Sequence, residues 1–335
     1  MSDKIKLRND YIDFIKGIAI LLVILGHTIS GSSKDYSNSI IYQIIWTVQM
    51  PLFFVISGFL TSYSKKIDTI EKLKGYFIKR TISYLSPWII WTLFIRNYLF
   101  ITRKILTFPE ILWNMDSGYW FLVSLWMIAI IFGLSEYFSY KIFNSQKYLI
   151  IVYICGMGFF LIVGKIIGLN FLGIKLTIYY MIFYFLGYLY SKISFIFQNK
   201  ENIKEIGIML SFLIWIGLIC RYNFFEIDDN VLGIIIRLIA SITGVISIIG
   251  LLINAQEFLK KKCLFLKWAG LNSLELYLFQ YIFLNYIKYE NIPIFHSCQG
   301  LFLVVLNFIL VILASSIVIF LIKNNKFLNF IFFAK

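Results

Sequence analysis

The stretch Tyr11-Ile12-Asp13-Phe14-Ile15-Lys16-Gly17-Ile18-Ala19-Ile20-Leu21-Leu22-Val23-Ile24-Leu25-Gly26-His27-Thr28-Ile29-Ser30 holds an acid, a base and an imidazole in an otherwise apolar run. At 1.5 Å per residue a helix of this length reaches about 30 Å, the thickness of a bilayer's hydrocarbon core. Basic residues precede it and Ser30-Gly31-Ser32 follow, the flanks of a secretion signal. Asp13 and Lys16 would interrupt the apolar region of such a signal, and the run has spanning length, so it reads as a membrane-spanning helix.

Comparable runs recur along the chain, near 11–30, 40–63, 77–101, 117–139, 148–164, 171–190, 205–220, 231–253, 268–288 and 299–322. They have helix length without the alternation of a barrel, so the fold class is all-α: a polytopic membrane bundle of about ten helices, one domain over residues 1–335. Composition agrees. The chain is 60% hydrophobic and 14% charged, with a mean hydropathy of +0.83, which excludes a soluble cytosolic enzyme.

The net charge of +14 would suggest a nucleic-acid partner in a soluble protein. Here its placement decides otherwise. With the N-terminus inside, 21 of the 31 Lys and Arg fall on one side and eight on the other, leaving Lys16 and Arg237 within helices. This asymmetry places both termini in the cytoplasm and makes the bilayer, not nucleic acid, the partner. Cys155, Cys220, Cys263 and Cys298 show no paired spacing, so neither a metal site nor a disulfide framework is expected.

Ionisable groups inside spans are costly and usually face an interior cavity. Lys16 and His27 are eleven residues apart, which returns within about 20° of the same helix face, and Asp13 lies about 40° away. Lys16 sits near the cytoplasmic mouth and His27 about 16 Å further along the axis. A histidine near a span end can be purely structural. Its alignment with Lys16, and the suitability of imidazole for moving protons near neutral pH, make His27 the candidate general base. Asp13 joins the catalytic group as the residue that orients or charge-balances Lys16, being too far along the helix to orient His27. His296 reads as an exposed loop residue.

These residues carry a resemblance. Arg8 to His27 resembles the opening helix of the membrane acyltransferase 3 family, and Met50-Pro51-Leu52-Phe53-Phe54-Val55-Ile56-Ser57-Gly58-Phe59-Leu60 resembles its second. Tyr119-Trp120-Phe121-Leu122 is similar to the family's Trp-Phe-Leu, and Ser273-Leu274-Glu275-Leu276-Tyr277-Leu278 to its Ser-Leu-x-x-Tyr-Leu segment. The resemblance implies transfer of an acyl group, usually acetyl from cytoplasmic acetyl-CoA, to a sugar hydroxyl of a cell-surface polysaccharide or its lipid-linked precursor. It implies a multi-pass protein of the bacterial cytoplasmic membrane, with His27 as catalytic residue and the basic position of Lys16 tied to donor use. Acetyl-CoA is the expected donor and no metal is expected.

Three departures stand out. Lys16 lies where arginine is common, and lysine lacks bidentate geometry. Lys79 and Arg80 supply the cytoplasmic basic pair, but Ser83 replaces a second arginine; with Lys72 and Lys74 these cations either attract the CoA phosphates or merely set topology. Gln280 stands where many relatives have histidine. On the acceptor side, Trp120 offers an indole face for a sugar ring, while Glu275 and Arg237 are candidate acceptor contacts. Arg237 has two readings: neutralisation by Glu275, or binding of an anionic acceptor group. Other tryptophans, such as Trp46, Trp88 and Trp113, fall near span ends as membrane anchors. The rival class is a transporter or flippase for lipid-linked saccharides, which predicts internal repeats or helices broken at the midplane.

Overall fold

The computed structural model describes residues 10–95, 107–113, 115, 119–193, 201–255, 263–286 and 291–334. Among these it is helical throughout: α1 Asp10–Ser32, α2 Ile40–Thr61, α3 Ile70–Ile89, α4 Phe108–Trp113, α5 Trp120–Phe143, α6 Leu149–Ile167, α7 Ile174–Ile193, α8 Glu201–Arg221, α9 Val231–Asn254, α10 Leu264–Leu271, α11 Ser273–Tyr286, α12 Cys298–Lys323 and α13 Lys326–Phe333. Eight of these helices, α1, α2, α5, α6, α7, α8, α9 and α12, are long and apolar enough to cross a membrane. The protein is a polytopic helical membrane bundle.

Two expected spans take a different form. The third begins at Ile70 rather than near 77, because the Thr69 side chain caps the helix by accepting the Lys72 backbone N–H at 3.4 Å, with Glu71 in the first turn. Its first half carries Glu71, Lys72, Lys74, Lys79 and Arg80, and after Pro87 it passes into a π-helical turn, Ile90–Ile95. Residues 96–101 of that span, and most of the outer segment 102–116, lie outside the described residues.

The ninth span is two helices, not one. Asn272 leaves helical geometry at φ −109°, and its side-chain amide donates to the Trp268 carbonyl at 2.7 Å. Asparagine competes with helical backbone bonding in this way, so the break between α10 and α11 is written locally. Residues 287 and 288 of that span, and the N-terminal Arg8 and Asn9 of the first motif, lie outside the described residues.

The chain divides into two compact units, one of residues 1–57 and 189–319, the other of 58–188 and 320–335. In the first, α1 packs against α10 and α11. A Cβ on Gly17 would overlap the Leu266 carbonyl, and one on Gly270 would overlap the Asp13 carbonyl. Glycine at both positions therefore permits backbone-to-backbone approach, the usual route to tight helix association where lipid removes the hydrophobic drive. From Asp13 and Gly17 against Leu266 and Gly270, the pair ascends together to His27 against Tyr281. The helices run parallel, as two odd-numbered spans of an alternating chain must.

The same unit is closed by antiparallel α8 and α9, where Trp215 lies against Gly244 and Ile208 against Gly250. The Trp215 indole donates to Thr47 of α2 at 3.1 Å. At the end of α1 beyond His27, Ile29, Tyr42, Ile45, Phe295 and Val304 form a core cluster, and Asn307 of α12 donates to Ser32 at 2.7 Å. Lys34 and Ile294 form an isolated bridge, with the Lys34 N–H donating to Pro293.

In the second unit α3 packs on α5 and α5 on α6. Gly133 of α5 receives the Tyr76 ring, and Gly58 meets the Tyr184 backbone of α7 so closely that no Cβ fits. Thr61 and Tyr184 share a hydroxyl hydrogen bond of 2.6 Å beside it. The Trp91 indole in the π turn donates to the Phe332 carbonyl of α13 at 2.9 Å.

The glycine contact yields a stability prediction. Gly270→Ala forces two backbones apart and is expected to lower stability by about 1–3 kcal/mol. Gly207→Ala, where a Cβ meets nothing within 4 Å, serves as control and gains helix propensity. Thermal unfolding of both variants in detergent checks this, and equal melting of the two would contradict the packing.

Candidate functional site

His27 lies ten residues, about 15 Å of helix rise, beyond Gly17 on α1, and Tyr281 lies eleven residues beyond Gly270, across the break at Asn272 and on α11, where the two rings meet. The Tyr281 hydroxyl and His27 Nε2 are 3.1 Å apart, and the ring centroids are 5.0 Å apart at 55°. The ring is half-buried. Its other nitrogen, Nδ1, makes no hydrogen bond to the described residues. One nitrogen is held by the protein and the other is open, an arrangement able to take a proton from a third group or to attack a carbonyl.

The wall on the α2 side is close as well. A Cβ on Gly26 would stand 2.6 Å from Gln49 Oε1, so the absence of a side chain there admits the amide of α2 next to His27. That oxygen is buried and has no hydrogen-bond partner among the described residues.

Nearer the start of α1, Asp13 is 3% exposed and its Oδ1 lies 4.0 Å from Lys16 Nζ. The expected pairing of these residues is present as a long contact. At that distance, with Lys16 partly exposed, it contributes little more than charge balance.

Arg237 is held by its own loop: Nη1 donates to Asp229 at 2.5 Å and Nη2 to the Ile227 carbonyl at 2.6 Å. Neutralisation by Glu275, one of the two readings of its charge, is therefore not the arrangement found. Glu275 is fully buried in the first turn of α11. A carboxylate so near a helix N-terminus is favoured by the positive end of the helix dipole.

The remaining candidates belong to the second unit. The Arg80 guanidinium carbon stands 5.0 Å from the centre of the Tyr76 ring and 5.9 Å from that of Tyr84, and Nη1 donates to the Tyr84 hydroxyl at 3.0 Å. No carboxylate pairs with it among the described residues, and its Nε is buried without a partner. Two aromatic faces thus fix a cation whose charge stays uncompensated. Lys79 is exposed. Lys72 donates to Asp68 at 2.6 Å, and that bond holds the carboxyl below its ordinary range. Trp120 stacks on Tyr180 with centroids 5.3 Å apart at 26°, so at least one face of the indole meets its own chain.

A polytopic helical membrane protein with an imidazole set between tightly packed helices is the class so defined. A family profile described as an acyltransferase domain matches residues 9–322, and the chain belongs to that family, the membrane acyltransferase 3 family. It is also similar to nodulation protein NolL of Sinorhizobium fredii (strain NBRC 101917 / NGR234), with 28% identity over 144 residues, 39% of this chain and 37% of that protein. The chain thus matches little more than a third of that relative's length. No solved structure matches. The break at Asn272 is one feature a carrier would share, but the family places the chain among membrane acyltransferases.

Tyr281 is the residue that sequence reasoning missed. It follows Gln280 directly and lies four residues after Tyr277, but a tyrosine in an aromatic-rich span looks like packing until its neighbour is known.

Gln280 carries a further cost. It is fully buried, and neither amide atom has a hydrogen-bond partner among the described residues. Gln280→Met, similar in volume and without the amide, is expected to raise stability by about 1–3 kcal/mol. Denaturant unfolding checks this; an unchanged or lower midpoint would show that the amide is satisfied after all.

Proposed function

We propose that this membrane acyltransferase is an O-acetyltransferase of the bacterial cytoplasmic membrane. It moves acetyl from cytoplasmic acetyl-CoA to a hydroxyl of a cell-surface polysaccharide or its lipid-linked precursor. The observation that carries this reading is the imidazole of His27, seated between α1 and α11 with one nitrogen bonded and one open. A base so placed takes the proton of a sugar hydroxyl as the oxygen attacks the thioester carbonyl, a step for which positioned bases supply about 100- to 10,000-fold. Transfer through an acetyl-imidazole is the second route, and it would carry the acyl group past the midplane without moving CoA.

Lys16, Lys79 and Arg80 are the cations we assign to the phosphates of CoA. Of these Arg80 is the best prepared, because its aromatic neighbours fix the guanidinium while leaving its charge unneutralised. Asp13 balances Lys16. Trp120, Arg237 and Glu275 are assigned to the acceptor. The indole stack and the Asp229 clasp limit the first two to the surfaces that Tyr180 and Asp229 leave open.

Membranes incubated with labelled acetyl-CoA test the reading. Label is expected in the saccharide fraction, and His27→Ala is expected to remove it by about 100-fold or more at equal protein level. Arg80→Gln is expected to raise KM for acetyl-CoA about tenfold, and Lys79→Gln by about twofold, as suits an exposed charge. Undiminished transfer by the His27 variant would overturn the role given to the imidazole.

A further inference from the structure

Neutral imidazole has one nitrogen that donates and one that accepts, and the hydrogen bond at one fixes the role of the other. Among the described residues the His27 ring has one hydrogen bond, between Nε2 and the Tyr281 hydroxyl. A tyrosine hydroxyl serves as donor or acceptor, so two arrangements fit the 3.1 Å contact. If the phenol donates to Nε2, the ring proton resides on Nδ1 and the open nitrogen cannot accept. If the phenol oxygen accepts from Nε2–H, the lone pair lies on Nδ1, the nitrogen to which none of the described residues bonds.

We infer that Tyr281 is the positioning residue of the transfer reaction: its phenol oxygen accepts from Nε2–H and leaves Nδ1 of His27 as the reacting nitrogen. The inference rests on the acyltransferase reading of His27 and adds the identity of the nitrogen and of the group that selects it. The Gly17 and Gly270 contact sets the two helices in the register that delivers this bond. Gly26, by admitting Gln49, adds a wall on the α2 side.

The chemistry balances. The acceptor hydroxyl oxygen forms a C–O bond to the thioester carbonyl carbon as Nδ1 takes the hydroxyl proton. Collapse of the tetrahedral adduct breaks the C–S bond, and the proton on Nδ1 passes to the departing thiolate. The products are the ester and free CoA thiol, with the imidazole returned to its starting tautomer. While the ring is cationic, its Nε2–H bond to the phenol oxygen becomes charge-assisted, so Tyr281 stabilises the charged state more than the resting one.

The chain has two histidines, and His296 is exposed in the loop before α12, so His296→Asn leaves a single imidazole to observe. In that full-length protein, labelled with 15N-histidine and reconstituted in lipid, nitrogen NMR is recorded under conditions that keep the ring neutral. The expected result is an unprotonated Nδ1 and a protonated Nε2, with Tyr281→Phe giving a mixture of tautomers. In transfer assays Tyr281→Phe is expected to lower kcat about tenfold or more while KM for acetyl-CoA stays within about twofold.

A protonated Nδ1 with an unprotonated Nε2 in the parent, or a Tyr281→Phe variant with undiminished kcat, would overturn the inference. The two claims fail separately. If His27→Ala keeps transferring acetyl, the catalytic reading falls whatever the NMR shows; if it does not, the tautomer and the kcat of Tyr281→Phe decide the role of Tyr281.

Discussion

Two helix backbones are allowed to touch in the first unit, and its chemistry depends on that permission. Gly17 on α1 and Gly270 on α10 each face a carbonyl of the opposite helix where no Cβ fits. In lipid, association gains little from burying apolar surface, so close van der Waals contact along small residues has to supply it. From this level α1 rises about ten residues to His27, while the partner passes the break at Asn272 and continues along α11 to Tyr281. The imidazole and the phenol meet there, 3.1 Å apart.

Polar groups are rationed in such an interior, and their placement is unequal. His27 keeps one satisfied nitrogen and one open one, whereas Gln280, next to Tyr281 in sequence, keeps neither end of its amide satisfied. Asp13 and Lys16 hold opposite charges a turn apart at the start of α1, which limits the cost of a carboxylate that is almost wholly buried. The polar inventory of α1 thus divides by depth: charge balance at one end, proton chemistry at the other.

In the second unit aromatic faces position the most prepared cation. Arg80 is held by Tyr76 and Tyr84 rather than by a carboxylate, so its position is fixed without cancelling its charge. Lys72, about two turns earlier on α3, is partnered by Asp68. The two cations look alike in a count of basic residues, but only one retains its full attraction for an anion. Trp120 illustrates the converse: its motif suggests a sugar platform, and Tyr180 already lies along it.

Hydropathy alone determined the class, because repeated apolar runs long enough to span a bilayer leave the backbone no option but helices that satisfy their own hydrogen bonds; eight such helices stand among the described residues. The period of the helix likewise aligned Asp13, Lys16 and His27, since positions on one helix are fixed by rise and rotation. Span ends were less legible where local capping intervened, as at Thr69, or where a side chain took the backbone's bond, as at Asn272. Pairing between distant segments was not legible at all. That Tyr281 stands at His27 and the Trp215 indole at Thr47 follow from which surfaces pack together, whereas Tyr76 and Tyr84 lie four residues either side of Arg80 on α3, a spacing the sequence itself carries. Packing is selected by shape across the whole unit, and no local period in the chain encodes it.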